Sequence, residues 1–121
     1  MKDYRNIQAW QRSHKAALLI YGVTDKFPSK EMYGLTSQLR RAAVSVPTNI
    51  AEGCGRTTET ELARFMDIAL GSLNEIEYLL FLSSDLGYIE KKTYQGISEE
   101  VVEIRKMLTA YVKAVRKSNR Q

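Results

Sequence analysis

Apolar residues recur along this chain in steps of three and four, in four separate segments. Such steps place side chains on one stripe of an α-helix. The first segment covers about residues 5–26. Its line is Ile7, Trp10, His14, Ala17 and Tyr21, with Leu18 and Ile20 widening the face. Phe27-Pro28-Ser29 ends it, because the residue before a proline is pushed out of the helical region. The second segment covers about residues 30–53, with Ser29 as its N-cap. Met32, Leu35, Leu39, Ala42, Val46 and Ile50 form its apolar line. Pro47 lies inside it and removes the backbone bond to the Ala43 carbonyl, at ~3 kcal/mol in a regular helix. The spacing therefore predicts a kink near Pro47, or a fresh helical start capped by Ser45. Gly53 and Gly55 are expected to form a flexible exit.

The third segment covers about residues 59–86, and Thr58 and Glu61 have capping-box spacing at its start. Leu62, Phe65, Ala69, Ser72, Ile76, Leu79, Ser83 and Leu86 form an unbroken line, widened by Met66, Leu73 and Leu80. Gly87 is the expected C-terminal stop. The fourth segment covers about residues 91–117, along Ile97, Val101, Ile104, Leu108, Tyr111 and Val115. No stretch alternates apolar and polar residues over a strand's length. Short links return each helix beside the last. The expectation is an all-α, antiparallel up-down-up-down four-helix bundle, one domain over residues 1–121.

The length supports this, since 121 residues are enough to bury roughly two-thirds of the unfolded surface without a metal or disulfide. Cys54 is the single cysteine, so no intramolecular disulfide forms and a reducing compartment, the cytosol, is expected. The first ten residues are polar and charged, unlike a signal peptide. The longest apolar runs, such as Leu79 to Leu82, are far shorter than a membrane span.

Charge changes the picture more. The net charge is +4, but residues 57–104 carry −7 and residues 105–121 carry +6. Opposite signs on one chain point to a polyanion partner or to charge-complementary self-association. Arg105, Lys106, Lys113, Arg116, Lys117 and Arg120 fall within an arc of roughly 120° on a helical wheel, about 140° from the apolar line. This stripe, about 22 Å long, can track nucleic-acid phosphates. It reads equally as a solvated face whose cations suit the helix C-terminus. Arg40 and Arg41 point away from the core in the register set by Leu39 and Ala42, placed to bind phosphate or to reach acids on a neighbouring subunit. Gly53-Cys54-Gly55-Arg56 can be read as a tight loop, or as a turn offering N–H groups and Arg56 to a phosphate.

The catalytic inventory is thin. His14 is the single histidine and falls on the first apolar line, as a hydrogen-bonded histidine at the core edge would. One Cys and one His do not supply the three or four ligands a metal needs. No serine sits in a Gly-x-Ser-x-Gly turn. Asn49 reads as a structural polar contact beside Pro47. No enzymatic activity, cofactor or small-molecule substrate is expected.

The stretch from Tyr33-Gly34-Leu35 through Arg40-Arg41-Ala42-Ala43 to Val46-Pro47-Thr48-Asn49-Ile50-Ala51-Glu52-Gly53 carries a resemblance. Ile20-Tyr21, Phe27-Pro28, Gly55-Arg56 and Ala69-Leu70-Gly71-Ser72-Leu73 extend it. Together they resemble the four-helix-bundle proteins encoded in intervening sequences of bacterial 23S ribosomal RNA genes. The resemblance implies an antiparallel four-helix bundle that assembles as a ring, often a pentamer, with no established enzymatic activity. That family is similar to the accessory proteins of diversity-generating retroelements, which bind nucleic acid and a reverse transcriptase. The resemblance thus makes the basic surface a candidate face for RNA or DNA. The function expected is a non-enzymatic oligomeric module that binds nucleic acid through basic helix faces. The alternative is a protein-interaction module whose charges serve self-assembly alone.

Overall fold

Four long helices account for most of residues 2–119, the part of the chain that the computed structural model describes. They are α1 (Gln8–Thr24), α2 (Leu35–Cys54), α3 (Glu59–Asp85) and α4 (Lys91–Asn119), with short 3-10 turns at Tyr4–Asn6 and Ser29–Glu31. No strand occurs among the described residues. α1 packs on α2 and α4, and α3 packs on α2 and α4, whereas among the described residues the backbones of the diagonal pairs do not approach as closely. The helices thus sit at the corners of a square in chain order. Cross-helix ion pairs fix the antiparallel register of the last two: Arg105 meets Glu77, and eleven residues on, Arg116 meets Asp67.

Helix ends follow local chemistry. Thr58 caps α3 by accepting the Glu61 N–H at 3.2 Å, as its spacing predicts. α3 stops at Gly87, whose φ of +80° favours a residue without Cβ. The Tyr88 N–H then reaches the Ser83 carbonyl at 2.9 Å, and the Gly87 N–H reaches Ser84 at 3.0 Å. The start of α2 differs from expectation. Ser29 opens a 3-10 turn and caps nothing; Glu31 accepts the Leu35 N–H at 3.1 Å instead. The first connection is therefore longer than the few residues predicted.

α2 continues without interruption across Pro47, so no fresh helix begins there. Ser45 is not a cap. Its hydroxyl lies 2.8 Å from that of Ser72 on α3, and Asn49 donates to the Ser45 hydroxyl at 3.0 Å and carbonyl at 2.8 Å. Asn49 is thus the structural contact its position implied. Gly53 is no flexible exit: it lies buried inside α2, where an added Cβ would come within 3.0 Å of the Phe65 Cβ and 3.1 Å of the Met66 Cε.

The lines predicted for the last three helices bury as expected, save Met32, Leu86 and the half-buried Tyr111. α1 does not. Its buried residues are Ala9, Ser13, Ala16, Ala17, Ile20 and Thr24, a stripe turned by about 90° from the predicted one. Small residues let α1 approach its neighbours closely. The larger Leu18 and Tyr21 are left on the outside, Leu18 with 61% of its surface exposed, and Trp10 packs half-buried against the edge of the core.

Candidate functional site

The basic stripe of α4 is divided by what α3 places beside it. Arg105 donates to Glu77 at 2.6 Å and to Asn74 at 3.3 Å. Arg116 forms a two-pronged pair with Asp67. Eleven residues is about three helical turns, so both arginines share the stripe's α3-facing edge. Lys106 lies 3.7 Å from Glu103, one turn back. Lys113 and Lys117 are exposed and have no ion pair among the described residues. Arg120 lies outside the described residues. The stripe is therefore partly consumed in holding α4 to α3, and its free charge is at the C-terminal end.

Arg40 corrects the expectation of an outward cation. Its guanidinium folds onto the end of α1, donating to Thr24 Oγ1 at 2.8 Å, Asp25 at 2.9 Å and the Tyr21 carbonyl at 3.3 Å. It also lies over the Tyr21 ring at 4.7 Å. A cation there meets the carbonyl end of the helix, where it is favoured. Arg41 is exposed, with no ion pair among the described residues, at the rim of a cleft shared with Gln38, Ser45, Ser72 and Glu75. Arg56 is exposed over the Phe65 ring at 4.6 Å. The phosphate-turn reading of its loop loses support, because the Gly55 and Arg56 N–H groups already donate to the Glu52 and Gly53 carbonyls, both at 3.1 Å. The up-down topology gathers Lys2, Arg56, Lys113 and Lys117 at one end of the bundle.

The larger feature was not anticipated. A groove of about 610 Å³ runs between α1 and α2, walled by Tyr4, Trp10, Leu18, Tyr21, Val44 and Pro47, with Ala17 and Ala51 between. His14 lies there, exposed and stacked on Trp10 with ring centroids 5.3 Å apart, rather than hydrogen-bonded at the core edge. Glu52 is the one carboxylate on its lining. Trp10 to Tyr21 spans eleven residues, about 16 Å along the helix. The same apolar spacing that predicts a core stripe produces this wall. The sequence signal that separates the two is residue size: Ala9, Ser13 and Ala16 make the tight seam, and the large residues lie beside it. Cys54 is buried at the end of α2, and burial pushes its thiol pKa up. It has the character of a packed side chain, not of a nucleophile.

Among the described residues, no group of three or more His, Cys, Asp or Glu side chains is placed to hold a metal ion. No described helix is long and apolar enough to cross a membrane. No curated protein matches the chain. A crystal structure of a protein of unknown function from the S23 ribosomal protein family of Bacteroides thetaiotaomicron is similar to it, with a TM-score of 0.81 and 25% identity, covering 87% of this chain and 95% of that one. The profile of the family described as 23S rRNA-intervening sequence protein matches residues 5–110. With this match over most of the chain, and the same fold in the S23 family structure, the chain belongs to the 23S rRNA-intervening sequence protein family.

Proposed function

We propose that this chain is a non-enzymatic module that works by assembling with copies of itself. The observation that carries the reading is the apolar groove between α1 and α2, where Leu18, Tyr21 and Val44 are exposed beside the half-buried Trp10. Contiguous exposed apolar surface of this kind marks interaction sites. The family resemblance supports a ring, with five subunits the expected number. The single histidine stacks on Trp10, with no hydrogen bond to an acid or nucleophile among the described residues, which supports a binding role over a catalytic one. Sedimentation velocity from nanomolar to micromolar chain tests assembly: the expected result is a species several times heavier than 13.8 kDa, and a monomer throughout would overturn it.

A second reading, RNA binding, is favoured by the cations that remain free. Lys2, Arg56, Lys113 and Lys117 carry no ion pair among the described residues and lie at one end of the bundle. Repetition around a ring would multiply a weak phosphate contact through avidity. Binding of single-stranded RNA should fall steeply with added salt, since phosphate contacts release counterions. Affinity independent of salt would remove this reading.

A further inference from the structure

We propose that the polar cleft between α2 and α3 binds a small zwitterion of the α-amino acid class. It shares no lining residue with the apolar groove. Helix register builds it. Gly53 of α2 lies against Phe65 and Met66 of α3, and eight residues earlier Ser45 meets Ser72. The two helices are thus antiparallel, and about one turn further along each come Arg41 and Glu75. These two stand on the two sides of a cleft of about 290 Å³, with Gln38 beside them. Ala42, Ser45 and Ser72 are its less exposed lining residues and form its floor.

The floor has a hydrogen bond to give. Ser13, Thr24 and Ser83 each donate their hydroxyl proton to a carbonyl of their own helix. Ser45 and Ser72 do not. Their two hydroxyls carry two protons. One proton joins the oxygens across 2.8 Å, and Asn49 adds its own N–H to Ser45 at 3.0 Å. Whichever serine donates, one O–H is left without an acceptor among the described residues. Ser72 is only 9% exposed, and polar groups so placed are normally bonded. An acceptor reaches that O–H from the cleft, which both serines line. The rim then fixes the charge of the occupant. Arg41 and Glu75 carry no ion pair among the described residues, with each other or with any other group. A bare anion would sit beside Glu75 and a bare cation beside Arg41, each against a like charge. A molecule with both signs avoids both penalties. Its carboxylate accepts from Arg41 and the spare O–H, and its ammonium donates to Glu75. Ala42 is the one apolar residue of the lining, so a small or polar side chain fits there and a bulky apolar one gains nothing.

Titration of the full chain with glycine, L-alanine and L-serine, followed by NMR, tests this site. The expected result is saturable shifts at Arg41, Ser45, Ser72 and Glu75 with at least one of the three. Arg41→Gln and Glu75→Gln lie at exposed positions, and far-UV circular dichroism checks that both fold. Each should weaken binding about tenfold or more, because each removes a charge-assisted hydrogen bond. Acetate and methylammonium each carry half of the zwitterion and should bind at least about tenfold more weakly than it does. Absence of saturable shifts at the cleft with all three amino acids overturns the proposal. Inorganic phosphate or acetate binding as tightly as the amino acids marks an anion site and also overturns it. So does amino acid binding that Glu75→Gln leaves unchanged. Light scattering on the same samples separates this site from assembly. An oligomer with an empty cleft overturns the site alone, and a monomer that binds L-serine at the cleft upholds it while the assembly reading fails.

Discussion

Arg40 shows how a cation that looks available from sequence is used within the fold. Its bonds to Thr24, Asp25 and the Tyr21 carbonyl tie α2 to the end of α1. Asp25 is largely exposed, so that ion pair is screened and the neutral partners carry most of the effect. Arg40→Ala should lower unfolding stability by about 1–2 kcal/mol, and Arg41→Ala by much less; urea titration compares them. Gly53 makes a harder demand. Its place against Phe65 and Met66 leaves little room for a methyl group, so Gly53→Ala should cost about 1–3 kcal/mol by overpacking in the same titration. Cys54 and Tyr111 give a pH test. Burial raises the pKa of both in the folded chain, so above the ordinary thiol value of 9.0 the unfolded chain binds fewer protons and stability falls as pH rises. The urea midpoint should be lower at about pH 10 than at about pH 7, and Cys54→Ala should reduce that difference.

The helices differ in how far the sequence alone revealed them. α3 and α4 were legible almost to the residue, because their apolar lines are long and their ends carry Thr58 and Gly87. α2 was legible in its line but not in its start, because Gly34 and the Glu31 carboxylate, rather than Ser29, set the first turn. α1 was misread by a quarter turn because both its core seam and its outer wall have helical spacing, and periodicity does not distinguish Ala from Trp by where each is needed. The candidate site shows the same limit. Periodicity located the cations of α4, but which of them stay free depends on Asp67 and Glu77 across the α3–α4 seam. This divides the stripe by experiment. Reversing Lys113 and Lys117 to Glu should weaken RNA binding with stability nearly unchanged. Reversing Arg105 and Arg116 places like charges opposite α3 and should instead lower the thermal midpoint. Equal effects of the two pairs on both binding and stability would contradict the division.

At the scale of the whole molecule, the bundle closes its core without using its most conspicuous apolar side chains. Ile20, Leu39, Ile50, Met66, Leu73, Leu80, Ile104 and Leu108 fill the interior, while Leu18, Tyr21, Val44, Ile68 and Tyr78 remain at the surface. That distribution is the ground for the assembly proposed above. Exposed ion pairs contribute only ~0–1 kcal/mol each, so in the proposed assembly the apolar groove, not charge, supplies most of the free energy. Light scattering on the full chain at micromolar concentration, with Leu18→Glu measured beside it, tests this most directly. The account predicts a wild-type mass several times 13.8 kDa and a folded monomer for Leu18→Glu. A wild-type monomer, or an assembly that Leu18→Glu leaves intact, would contradict it.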